Sequence, residues 1–253
     1  MALIENGLIK QLEEDLDFNV TYDGQVHNYS ELRPADDPEV HRMKQPRFVS
    51  AVTKQVSDQV YAHARAGKLV LTLGGDHSIA IGTVSGTAKA VRERLGKEIA
   101  VIWVDAHADI NTPDSSESGN IHGMPVAFLT DIVEDKEELK REDVFAWLKK
   151  EHLISPKKLV YIGLRDIDKG EKKILKQYGI KAFSMHDIDR YVVFTFLEIG
   201  IWFANRKIGT ALAKSWIWHW VGSEATRPSI SPSTSTLWIP CGRPAPVLPY
   251  AVA

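Results

Sequence analysis

The sequence predicts an α/β fold, a three-layer parallel sheet with helices on both faces, and three observations carry that expectation. Ile99–Val104 is apolar at every position and ends abruptly at Asp105. An unbroken run of that kind reads as a strand buried on both faces of a parallel sheet. Lys68–Leu73 and Leu159–Leu164 repeat the pattern, and Ile180–Ser184 adds a shorter version. Between these runs lie segments with helical spacing, so strand and helix alternate through residue 190.

In chain order, Leu3, Ile4, Leu8, Ile9, Leu12 and Leu16 recur at helical spacing, which predicts an amphipathic helix over 3–16. Phe18–Tyr22 reads as a short strand. Residues 23–47, polar and carrying Pro34, Pro38 and Pro46, read as a surface connection. Phe48–Ala66 is the next helix, with Val52, Val56 and Val60 on one face and Gly67 as its stop. The strand Lys68–Leu73 runs into Gly74-Gly75-Asp76-His77-Ser78 and then a helix over Ile79–Leu95. Glu137–His152 reads as a helix with charged faces around Val144, Phe145 and Leu148. Gly170–Tyr178 is a shorter helix stopped by Gly179.

The bulk properties exclude several classes. A chain of 253 residues with 44% hydrophobic and 25% charged residues is of ordinary soluble composition, long enough for one large α/β domain. A net charge of −2 gives no reason to expect nucleic acid or an anionic membrane as partner. The lone Cys241 excludes an internal disulfide framework, and acids interrupt the apolar residues of Met1–Leu16, unlike a signal peptide. Val192–Ala204 is too short, and with Glu198 too charged, to span a bilayer. A cytoplasmic protein acting on a small molecule is the expectation.

The chemistry concentrates at strand ends, where ligands of open α/β sheets bind. Asp105-Ala106-His107-Ala108-Asp109 ends one strand. While the backbone stays extended, Asp105, His107 and Asp109 share one side. Carboxylates mixed with imidazole suit manganese, zinc or iron better than calcium. The plain alternative is a strand end with helix-capping carboxylates. His77 stands at a second strand end, and its addition makes four candidate donors at one sheet edge. The polar stretch Asn111–Met124 follows the cluster as a loop at the mouth of this site, in position for substrate contact.

With these motifs in order, the chain resembles the arginases of the ureohydrolase family. The resemblance rests on Gly74-Gly75-Asp76-His77-Ser78, Asp105-Ala106-His107-Ala108-Asp109-Ile110-Asn111, Ser118-Gly119-Asn120-Ile121-His122-Gly123 and Tyr161-Ile162-Gly163-Leu164-Arg165-Asp166. The Ser-Gly-Asn-x-His-Gly loop points to arginase rather than agmatinase or formimidoylglutamase. The resemblance implies a binuclear manganese hydrolase converting L-arginine to L-ornithine and urea, commonly a trimer or hexamer. It places His77, Asp105 and Asp109 on one manganese and Asp105 with His107 on the other. Asp109 would orient the attacking water, and His122 would carry protons near the mouth. Asn111, Ser118, Gly119 and Asn120, with His107, would meet the substrate, whose α-amine would face Asp168 with Glu171 nearby.

The chain also departs from the family pattern. The resemblance starts close to Met1, without the strand and glycine-rich loop with which arginases begin. No aspartate follows Asp189, so the later metal motif Phe-Asp-Val-Asp-Ala-Leu-Asp-Pro is missing. Residues 191–253 hold five of seven tryptophans and six of twelve prolines but only two acids, Glu198 and Glu224, an abrupt change of composition. Pro232–Pro240 can be written CCT TCG ACG TCG ACG CTC TGG ATC CCA, and from the third base that string encodes the missing octapeptide. The expectation is a partial, incomplete arginase domain over 1–190 and an aberrant, out-of-frame tail over 191–253, with activity impaired or absent. Two other readings are a non-catalytic arginase-like paralogue or regulator, and a related ureohydrolase on another guanidino substrate.

Overall fold

The computed structural model describes residues 2–134 and 136–190, and the backbone of 237–239 and 250–252. The chain divides into two units, Met1–Ala35 and Asp36–Ala253. In the first, α1 (Ala2–Glu5) and α2 (Leu8–Glu14) replace the single helix expected over 3–16. Gly7 separates them, its φ of 87° lying where only glycine sits without strain. Phe18–Tyr22 is not a strand. It has no ladder partner among the described residues, and an isolated extended segment gains nothing from its β-propensity.

In the second unit, α3 (Pro46–Arg65) begins with proline at its first turn, where a missing N–H is harmless. It packs on α4 (Ala80–Leu95). The buried seam of α3 runs through Ser50, Thr53, Ser57, Val60 and Ala64, so of the three valines expected to line it only Val60 is buried. Small residues serve because the two backbones meet closely. A Cβ on Gly82 would lie 2.5 Å from the Thr53 carbonyl oxygen, and one on Gly86 2.4 Å from that of Ser57. Ser85 donates to Ser57 across this contact.

The sheet contains β1 (Val101–Val104), β2 (Leu159–Leu164), β3 (Lys181–Ser184), β4 (Leu237–Ile239) and β5 (Tyr250–Val252), ordered β3-β2-β1-β5-β4. The pairs β3–β2 and β2–β1 are parallel, as expected; β1 also pairs in parallel with β5, a strand of the tail that the sequence does not predict, and β4 is antiparallel to β5 and closes the edge. Lys68–Leu73 departs from expectation. It is not assigned as a strand and has no ladder partner among the described residues; Leu69–Thr72 are half-buried and Leu73 is exposed. Its apolar character places it against the core without placing it in the sheet.

The expected helix over Glu137–His152 is short: α6 is Lys136–Arg141. Asp143 and Phe145 then take left-handed backbone, so Val144 and Phe145 turn into the core while the Phe145 N–H donates to Ser50 Oγ. A helix from Pro125 to Leu129, here α5, gave no amphipathic signal because all five residues are buried. After β2, α7 (Lys169–Tyr178) ends at Gly179 as predicted, and residues 185–190 are helical beyond β3. The core around β1 and β2 includes Tyr161, Ile110, Met124 and Leu129, all fully buried. The composition break at 191 and the stretch Val192–Ala204 lie outside the described residues. So does the rest of the out-of-frame tail, apart from the backbone of β4 and β5.

Candidate metal centre

β1 delivers Asp105 to the carboxyl edge of the sheet, where its N–H donates to Ile162 of the neighbouring strand at 3.0 Å. His77 arrives from the turn before α4. There Asp76 caps the first turn by accepting the Ser78 N–H. The chain then bends at Asp109, whose φ of 48° is left-handed, a conformation aspartate tolerates better than most residues. The bend is held from three sides: Tyr161 Oη donates to the Ala108 carbonyl at 2.6 Å, Val126 N–H to that of Asp109, and Asn111 N–H to that of Gly123.

The result is a compact buried group. His77 Nδ1 lies 2.5 Å from Asp109 Oδ2 and 2.9 Å from Asp105 Oδ2. Ligand atoms of the three residues all fall within 4.8 Å of one another. Burial opposes charge on the His77 ring, but hydrogen bonds and charge from both aspartates outweigh it and raise its pKa to about 9. Burial likewise opposes ionisation of Asp105, yet His77 and the His107 N–H hold its pKa below the usual carboxylate range. For Asp109 burial wins and the pKa rises.

His107 does not join the group. β1 ends at Val104 and the chain bends from Asp105, whose Oδ1 accepts the His107 N–H, so the extended alternation that would have aligned Asp105, His107 and Asp109 does not continue. The His107 side chain is 52% exposed, with Nδ1 3.5 Å from Asp105 Oδ1 and Nε2 3.5 Å from Asp166 Oδ2.

A divalent cation fits the donor set. His77 Nε2 is buried without a hydrogen-bond partner, while Asp105 Oδ2 meets His77 Nδ1 at 2.9 Å; the orphaned ring nitrogen is costly unless something else satisfies it. Two carboxylates and an imidazole match the chemistry of manganese, zinc or iron. Trp103 Nε1 is another such orphan, and its ring meets His77 edge-on at 5.5 Å. Sequence reasoning missed Trp103 as a wall of this site, since an aromatic in an apolar strand reads as core.

The loop after the cluster is largely buried rather than solvated. Asn111 donates from Nδ2 to Asp168 Oδ2 at 2.6 Å and accepts from Ser115 Oγ at 2.7 Å. Asp168 caps α7 by accepting the Glu171 N–H at 2.8 Å, and Glu171 Oε2 accepts the Asp168 N–H in return at 3.1 Å. Glu171 is buried, and burial together with the charges of Asp168 and Asp109 lifts its pKa to about 7. Gly119 is buried, Asn120 half-buried, and Ser118 and His122 exposed. Ser115, which bridges the loop to Asn111, carried no sequence signal beyond its polar surroundings.

The Arginase family profile matches residues 7–206. An arginase from Coccidioides posadasii (strain C735) is 62% identical over 200 residues, covering 79% of this chain and 61% of that protein. An arginase from Glaciozyma antarctica (strain PI12) is 45% identical over 237 residues, 93% of this chain and 64% of the relative. Among solved structures, a cold-adapted arginase from Glaciozyma antarctica superposes with a TM-score of 0.59 at 47% identity, covering 78% of this chain and 62% of that one. Bacillus cereus arginase gives 0.61 at 31%, covering 81% and 63%. The chain thus spans about three fifths of the length of these relatives. On the family match, its strand-end motifs and its fold, the chain belongs to the arginase family.

Proposed function

We propose that this chain carries the first metal site and the substrate loop of a manganese-dependent hydrolase converting L-arginine to L-ornithine and urea. We further propose that activity is impaired in the sequence as written. The observation that carries this reading is the buried group His77, Asp105 and Asp109, whose ligand atoms lie within 4.8 Å of one another. These three residues would hold the cation. Bound there, it would supply Lewis-acid activation of water and charge to stabilise a developing tetrahedral centre. Asp109, its own bend held through the Ala108 carbonyl, orients the water that attacks the guanidinium carbon. His122, exposed at the mouth, exchanges protons with solvent and protonates the departing amine. Asn111, Ser118, Gly119 and Asn120 receive the α-carboxylate of the amino acid, with His107 at the same mouth. Asp168 faces the α-amine, supported by Glu171.

Impairment follows from charge. Among the described residues, His77, Asp105 and Asp109 are the one group of His, Cys, Asp or Glu close enough to share an ion. A second site would rest on Asp105 and the outward-turned His107. The out-of-frame tail, the cytoplasmic location and the trimeric or hexameric state belong to the same proposal. The test is manganese stoichiometry by elemental analysis, with urea release from L-arginine, agmatine and guanidinobutyrate, on the purified 253-residue chain. Weak manganese binding with little urea is expected. Urea from arginine at the rate of a full-length family member would overturn the impairment, and preference for another guanidino compound would overturn the substrate.

A further inference from the structure

The segment before α3 has the polar, proline-bearing sequence of a surface connection, but its geometry gives it a task. Asp37, its side chain only 7% exposed, accepts the backbone N–H of Arg47 at 3.2 Å and of Phe48 at 2.9 Å. It therefore caps α3 from ten residues upstream, since Gln45 at the helix start provides no side-chain cap. Between cap and helix the chain makes a tight hairpin. Val40 N–H donates to Met43 at 3.4 Å and Met43 N–H to Val40 at 2.9 Å, around the turn residues His41 and Arg42. Both turn residues have positive φ, 46° and 66°, as a type I′ turn demands, and Gln45 follows at 48°. Such turns favour asparagine and glycine. Left-handed backbone at three non-glycine residues persists only where surrounding contacts over-determine it.

Those contacts reach the loop assigned above to substrate. The Arg42 carbonyl oxygen sits where a Cβ on Gly119 would be, 2.0 Å from its ideal position, and Gly119 itself has a φ of 71°. Lys44 N–H donates to the Gly119 carbonyl at 3.0 Å, and Arg42 Nη2 to the Glu117 carbonyl at 3.4 Å. Met43, fully buried, anchors the hairpin to the core. Residues 117–119 are thus gripped at three points by a hairpin whose base is closed by Asp37.

We infer that the hairpin of residues 37–48 is a positioning device for the Ser118-Gly119-Asn120 loop, with Arg42 and Asp37 as positioning residues for amino-acid head-group binding. Its substrate half rests on the function proposed above; its mechanical half does not.

The test is hydrogen exchange on Asp37→Ala, with L-arginine titrated as the probe. The expected result is at least tenfold faster exchange at the Arg47 and Phe48 amides and also at residues 118–120, with β2 and α7 unchanged. Half-protection of the 118–120 amides should require several-fold more arginine, while protection at saturation stays the same. Asp37→Asn, which keeps a carbonyl acceptor, should restore part of both effects. If the Arg47 and Phe48 amides open while 118–120 do not, the hairpin does not govern the loop. Should Asp37→Ala fail to fold, Arg42→Ala serves, removing the Glu117 hydrogen bond without relieving the left-handed turn and loosening 118–120 while the cap amides stay protected; unchanged exchange at 118–120 in that variant refutes Arg42 as a positioning residue. If arginine gives the parent chain no protection, the substrate assignment fails, and the exchange rates alone decide the mechanical half.

Discussion

The Tyr161 hydroxyl donates to the Ala108 carbonyl at 2.6 Å, one residue before Asp109 enters left-handed backbone. Tyr161 is fully buried in β2, and Ala108 is fully buried beyond the end of β1. This single bond joins the core of the sheet to the bend that aims a metal-site carboxylate at His77.

Tyr161→Phe should therefore reach the cation site without touching it. Leaving the Ala108 carbonyl buried and unpaired should destabilise the fold by about 1–3 kcal/mol. Manganese affinity should fall as well, because the Asp109 turn loses one of its three supports. Urea denaturation and a manganese titration together check this. Lost stability with unchanged affinity would mean that the Val126 and Asn111 hydrogen bonds suffice to hold the bend.

Manganese should stabilise the chain. Binding to the folded state alone contributes about 1.4 kcal/mol at ten times the dissociation constant, a shift in Tm of a few degrees for a chain of this size. EDTA should reverse the shift, and Asp109→Ala or His77→Ala should abolish it. Calcium should shift Tm less, since it prefers all-oxygen coordination. Equal shifts by calcium and manganese would argue for loose charge neutralisation instead of a site built around His77.

The α3–α4 seam yields a prediction remote from the site. A Cβ on Gly82 would stand 2.5 Å from the Thr53 carbonyl oxygen and 2.8 Å from Val56 Cβ. Neither neighbour is a flexible side-chain end, so the helices must separate. Gly82→Ala should cost about 1–3 kcal/mol, in the range of overpacked cores, despite the better helix propensity of alanine. Thermal denaturation at fixed pH measures it, and a stabilised variant would show that the contact is looser than described.

What was legible in the sequence was local. β2 matched its apolar run residue for residue, and α7 matched to within one residue, because apolar pattern and glycine stop lie within the element itself. Asp105 could be placed because its apolar run is a strand of the parallel sheet, whereas His77 reaches the same edge from a turn and not from a strand end. Lys68–Leu73 failed because an apolar run records burial, while strand pairing depends on a neighbour elsewhere in the chain. His107 left the group because the chain bends as soon as β1 ends, with Asp105 Oδ1 accepting the His107 N–H, and nothing in Asp-Ala-His-Ala-Asp announces where the extended backbone stops. The hold of Arg42 on Glu117 spans 75 residues, beyond any periodicity.

Glu171 offers a pH-dependent test. Its pKa is raised from 4.5 to about 7 by burial and by the charges of Asp168 and Asp109. Between those values the folded chain holds a proton that the unfolded chain has released. Stability from this group is therefore fully present below about pH 4.5 and declines as pH rises through about 7. Glu171→Gln keeps an oxygen to accept the Asp168 N–H but cannot ionise, so its stability should lack this component. Relative to the parent chain, the variant should gain about 2–3 kcal/mol between pH 4.5 and pH 8. The comparison belongs in EDTA, so that no cation neutralises Asp109. Parallel stability curves for the two proteins would mean that Glu171 ionises near its ordinary pKa, and that solvent reaches its carboxylate.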